Sequence, residues 1–135
     1  MKAKEVKFRG KSKRTGEWLY GDLVRNVEGA FAIVPPFEMT TDNLCDRYEV
    51  DEKTIGQFIG TTDKNENEIY EGDIIKTDDG LDISGYYEVS YDIGATGFVC
   101  VGKDVHCCLS IIEEFSYIEV VGNIYDNKGL LTTRI

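Results

Sequence analysis

Apolar and polar residues alternate along much of this chain, in short runs separated by clusters of Gly, Asp, Asn, Ser and Thr. The clearest run is "YYEVSYD". Tyr87, Val89 and Tyr91 fall on one face of an extended chain, and Glu88 and Ser90 fall on the other. That period of two is the mark of a strand with one buried face. Similar runs predict strands at residues 6–9, in "EWLYGDLV", in "GAFAIVPP" up to the Pro35-Pro36 stop, in "RYEV", in "TIGQFIG", in "FVCVG" and in "YIEVVGNIYDN". Pro cannot continue a central strand, and Gly122-Asn123 interrupts the last run. No segment sustains a 3.6-residue period. One helical turn capped by Thr41 or Asp42 is expected near residues 37–46, and "LSIIEEF" is too short for its period to separate strand from helix. The pattern predicts a mainly β chain, a small β-barrel or antiparallel-sheet domain with little helix.

One stretch, "IGQFIGTTDKNENEIYEGDIIKTDDG", sets a wholly polar loop between two apolar runs. Its flanks predict antiparallel strands at residues 55–60 and 69–76 joined by a hairpin loop at 61–68, because a parallel crossover needs a dozen or more residues. Ile74 is expected in the core. Gly72, between Tyr70-Glu71 and the apolar run, is expected in a tight turn or at positive φ. The fragment "EWLYGDLV" echoes "EIYEGDII": an aromatic, then Gly-Asp, then two aliphatics. The echo reads as a turn device used twice, in which Gly bends the chain and Asp bonds the local backbone.

Length and composition narrow the class. With 135 residues, 41% of them apolar, the chain is expected to form a single domain over residues 1–135 with its own core. No run of about 18 apolar residues occurs, so no membrane-spanning helix is expected. The opening "MKAKEVKFRGKSKR" is basic and has no apolar stretch after it, which predicts a cytoplasmic protein without a secretory leader.

Charge adds an asymmetry. The net charge is −10; residues 1–25 hold eight Lys/Arg against three Asp/Glu, and residues 26–135 hold seven against twenty-two. An acidic body repels nucleic acid. The basic N-terminal arm, about residues 1–16, remains a candidate for phosphate through Lys2 to Arg14, with Trp18 and Tyr20 as bases' stacking partners. Trp18 and Tyr20 sit in an alternating run, however, and core or interface packing is the simpler reading.

Candidate chemistry is sparse. "DKNENEIYEGD" resembles a calcium loop at Asp63, Asn65 and Asn67, but the sixth position is Glu68 instead of Gly and the twelfth is Ile74 instead of Glu. His106, Cys107 and Cys108, with Cys100 nearby, lack the spaced pairs of a structural zinc site. Cys45, Cys100, Cys107 and Cys108 are an even number, yet a cytoplasmic chain gives no reason to pair them. The carboxylate pairs Asp51-Glu52, Asp78-Asp79 and Glu113-Glu114 lie in turns or at the ends of apolar runs, as solvated groups do. No phosphate-binding or nucleophile motif is present. The residues therefore predict no catalytic site, no bound cofactor and no metal.

Two blocks are recognisable. "IGQFIGTTDKNENEIYEGDII" and, near the C-terminus, "IEVVGNIYDN" resemble the YopX protein family of phages and prophages. The matching positions are Gly56, Gln57, Phe58, Asp63, Lys64, Asn65, Ile69, Tyr70, Glu71, Gly72, Asp73 and Ile74, then Ile118 to Tyr125 and Asn127. The opening "KFRGKSKRTGEWLYGDL" is similar to the family's start. Asn67 stands where many members have Gly, and Val121 replaces a common Ile. The resemblance implies a β-rich, phage-encoded, self-associating protein of unknown biochemical function, and it supplies no catalytic residues. The expectation is a non-enzymatic accessory protein of the bacterial cytoplasm, a homo-oligomer with an unknown phage or host partner. A nucleic-acid-associated module using the basic arm is the alternative.

Overall fold

A computed structural model describes residues 5–36, 44–77, 85–102, 106–108 and 118–132. Among these residues, ten strands and one short α-helix follow one another: β1 (Phe8–Lys11), β2 (Trp18–Arg25), β3 (Phe31–Val34), α1 (Leu44–Tyr48), β4 (Gly56–Thr62), β5 (Glu68–Tyr70), β6 (Asp73–Thr77), β7 (Gly85–Asp92), β8 (Gly97–Val101), β9 (His106–Cys108) and β10 (Ile118–Asn123). The fold is mainly β, as the alternation predicts, with open antiparallel sheets and no closed barrel among the described residues. The chain divides into two compact units, Met1–Phe58 and Ile59–Ile135.

In the first unit the strands lie in the order β3-β2-β1-β4. Phe8 pairs with Gly21 on one side and Gln57 on the other, so the basic strand sits inside the sheet. Gly10 packs closely: a Cβ there would lie 3.0 Å from the Val50 Cβ, so Val50 would have to give way by a few tenths of an ångström. Val50 is buried with Ala32 and Ile33. The run "RYEV" departs from expectation. Arg47 and Tyr48 close α1, and only Glu49 and Val50 are extended, in single bridges to Ala32 and Ser12. Four residues are too few to hold a ladder against a helix that begins just upstream. Positions 41 and 42, expected to cap a helical turn, lie outside the described residues.

In the second unit the sheet order is β10-β6-β7-β8-β9, and the β4–β5 hairpin lies beside β10. Ile69, Ile75, Tyr87, Val89, Cys100 and Ile118 form the core. Each fully buried aliphatic stabilises by roughly 1.5–3 kcal/mol. The run at residues 69–76 is not one strand. It breaks at Glu71-Gly72 into β5, which neighbours β4, and β6, which pairs with β7 and β10. Gly72, at φ 87°, makes the break, because that backbone conformation leads the chain out of one sheet and into the other. The last strand carries a register shift between Val120 and Gly122, at the interruption expected there. "LSIIEEF", Asp78-Asp79 and Glu113-Glu114 lie outside the described residues.

The charge asymmetry falls on this division. Residues 1–58 hold ten Lys/Arg and ten Asp/Glu; residues 59–135 hold five and fifteen, so the whole net charge of −10 belongs to the second unit.

Candidate binding surfaces

Every second residue from Lys7, just before β1, to its end is basic, and the period of two puts Arg9 and Lys11 on one face. The register sets Tyr20 opposite Arg9 and Trp18 opposite Lys11. The Arg9 guanidinium lies 4.6 Å from the Trp18 ring centre and the Lys11 ammonium 5.5 Å. Lys7 lies 5.1 Å from the Phe58 ring. These are cation–π distances. Trp18 thus serves as a platform for two cations of its own sheet, and Arg9 is only 5% exposed. Tyr20, 46% exposed, is the aromatic of this face most open to a partner. Lys13 pairs with Glu49 at 3.0 Å. The expected stacking pair, Trp18 and Tyr20, is brought to one face, but its two rings have different surroundings.

A second surface lies on the β7–β8 hairpin. The face that carries Tyr87, Val89 and Cys100 into the core continues to Tyr91 and Phe98, which are opposite in register and meet edge to face at 5.5 Å. There the cover ends: Tyr91 is 49% exposed, and Ile93 at the tip is 84% exposed. Glu88, on the other face of β7, has its carboxyl pushed up by burial, against an opposing pull from Lys128.

The motif residues have a different use. Asp63 Oδ1 accepts from the Asn65 and Asn67 N–H groups at 2.9 and 2.8 Å. Its Oδ2 accepts from the Val120 N–H at 2.9 Å and from Asn67 Nδ2 at 3.4 Å. Burial pushes this carboxyl up, but the hydrogen bonds from Val120, Asn67 and Asn65 outweigh it and hold the group below its ordinary value. A carboxylate has about four acceptor sites, and N–H donors occupy them here, so an ion at Asp63 would have to displace them. The Lys64 N–H donates to the Ile118 carbonyl, and the Lys64 side chain meets Glu119 at 3.4 Å. The Gly72 N–H donates to Val89 O, and Gly72 O accepts from the Ile124 N–H. Asp73 Oδ2 accepts from the Tyr70 N–H at 2.8 Å and ties off the turn. Asn123 Oδ1 accepts from the Tyr125 and Asp126 N–H groups, and Asn127 Oδ1 accepts from the Asn123 N–H. A Cβ on Gly122 would lie 2.5 Å from Asn127 Oδ1. The two motif blocks therefore meet in space and form the joints of the second unit.

The remaining candidates are placed as follows. Asp51 caps the 3-10 turn Glu52–Thr54 by accepting from the Lys53 N–H. His106, Cys107 and Cys108 form β9, and Cys107 is the register partner of buried Cys100. Among the described residues no group of three His, Cys, Asp or Glu side chains is disposed to hold a metal ion, and no helix is long and apolar enough to cross a membrane. The Asp63 joint was not foreseen. An Asp followed by Asn at two and four residues is a local capping pattern, but nothing local points to Val120.

The chain is similar to protein EF1440 from Enterococcus faecalis, whose crystal structure superposes with a TM-score of 0.57 at 25% identity, over 96% of this chain and 99% of that one. No curated protein matches it. The model of the YopX protein family matches residues 7–132. With that match running over nearly its whole length, and with both recognisable blocks built into one set of joints, the chain belongs to the YopX family.

Proposed function

We propose that this protein is a non-enzymatic phage or prophage accessory protein, acting in the bacterial cytoplasm as a β-rich binding and self-assembly module. The observation that carries this reading is the β7–β8 hairpin, where an apolar face leaves the core and ends in exposed Tyr91 and Ile93. Aromatic and aliphatic groups that continue a core outward are what protein interfaces bury. Three carboxylates support the non-enzymatic reading, since Asp63 and Asp73 of the motif and Asp51 upstream of it accept from backbone N–H groups. Sedimentation velocity at tens of micromolar is expected to give a homo-oligomer. Ile93→Lys is expected to reduce its mass, because a charge at an apolar contact is costly to bury. A monomeric wild-type protein would remove the reading.

The alternative, association with nucleic acid, is favoured by the alternation of Lys7, Arg9 and Lys11 beside exposed Tyr20. It ranks second because Arg9 and Lys11 already lie over Trp18 and the net charge is −10. A salt-dependent gel shift with single-stranded DNA, lost in Tyr20→Ala, would reverse that ranking.

A further inference from the structure

Among the described residues β10 is an outer strand, paired with β6 on one side. Such a strand presents a row of N–H and C=O groups to which another chain can add. In this protein part of that row is already occupied. The Lys64 N–H donates to the Ile118 carbonyl at 3.0 Å, and the Val120 N–H donates to Asp63 Oδ2 at 2.9 Å. Glu119, between them, stands opposite Lys76 of β6. An acceptor and a donor two residues apart are what a neighbouring antiparallel strand would engage. The β4–β5 loop engages both. It supplies the donor from its backbone and the acceptor from a side chain, so the Asp63 carboxylate stands in for a strand carbonyl. The loop fixes that carboxylate from within: Oδ1 accepts from the Asn65 and Asn67 N–H groups, and the Asp63 N–H donates to Asn67 O.

We infer that the Asp63–Lys64 loop is an edge guard, and that releasing Val120 from Asp63 opens β10 to pairing with the β10 of a second copy of this chain. The occupant follows from the strand itself. Ile118, Val120 and Val121 are β-branched, which suits added pairing. A two-fold contact centred on Val120 joins the Val120 N–H and C=O of the two copies where the register shift begins, and it places each Glu119 on the opposite side of the axis from its mate, so no like charges face each other. This contact is separate from the β7–β8 surface proposed above, and the two fail independently.

Amide exchange and sedimentation test the inference. In the wild-type protein the Val120 amide is expected to be protected like an inner strand, and to open together with Lys64. In Asp63→Asn its exchange is expected to rise about tenfold or more, since a charged acceptor is lost. Asp63→Asn is also expected to form a concentration-dependent species of twice the wild-type particle mass. Adding Val120→Pro, which has no N–H to offer, should abolish that species. Free exchange of Val120 in the wild-type protein would overturn the inference, and so would a folded Asp63→Asn that keeps the wild-type mass at every concentration. Should Asp63→Asn fail to fold, the wild-type exchange pattern decides alone.

Discussion

Removing the Asp63 carboxylate would leave the Val120, Asn65 and Asn67 N–H groups without their acceptor. Each part-buried donor left unpaired costs about 1–3 kcal/mol. Asn65 and Asn67 are exposed, so water can take the acceptor's place there, and the Val120 N–H dominates; Asp63→Ala is therefore expected to lower stability by about 2–4 kcal/mol in urea titration. The pH dependence has a definite sign. The carboxyl sits below its ordinary value of 3.8 in the folded protein, so its contribution is fully present above that pH and is lost as pH falls through the lower, folded value. The difference in Tm between wild type and Asp63→Asn should be largest near neutrality and shrink in strong acid. Gly72 is the other decisive residue of this stretch. At φ 87° a Cβ is strained wherever it points, so Gly72→Ala is expected to cost about 1 kcal/mol or more in the same titration. Gly21, its counterpart in the echoed fragment, is used differently. It lies inside the continuous strand β2, where a Cβ would run into the Val34 carbonyl oxygen. The same Gly-Asp letters therefore make a turn in one place and admit a close strand neighbour in the other.

Among the elements, the hairpin loop and the strand after it should respond in opposite ways. Ile74 on β6 is fully buried, and Ile74→Ala is expected to cost about 2–5 kcal/mol through lost contacts and a cavity. Lys64 contributes to the β10 joint through its backbone, which substitution keeps, and its side chain makes one exposed ion pair with Glu119. Lys64→Ala is expected to change stability by less than about 0.5 kcal/mol. Parallel denaturation of the two variants checks both values. A large loss in Lys64→Ala would mean that the side chain, and not the main chain, holds the loop on β10.

For the whole molecule the charge division matters most. The second unit carries the entire net charge of −10, and that self-repulsion opposes its compaction. Added salt screens such repulsion over distances of about 10 Å at 0.1 M. Raising sodium chloride from low to moderate concentration is therefore expected to raise Tm, and a fall in Tm would show that attractive pairs such as Lys13–Glu49 outweigh the repulsion.

The sequence by itself determined the fold class and most strand positions. Alternation in "YYEVSYD" and the stop at Pro35-Pro36 are local properties, and β7 and β3 follow from them. It also placed Ile74 in the core and Gly72 at a bend. Partnership between strands was decided by the tertiary structure. Residues 69–76 read as one strand because Ile69, Tyr70, Ile74 and Ile75 are all apolar, and apolar character does not say which sheet a residue faces. The split into β5 and β6 required Gly72 to bond Val89 and Ile124 together. "RYEV" alternates as a strand does, yet a helix claims its first half, because four residues have too little local preference to resist their neighbours. Asp63 was legible as a turn residue, but not as the acceptor for an amide 57 residues away. A hydrogen bond across that separation leaves no periodicity in the chain, and only the packed structure brings its two ends together.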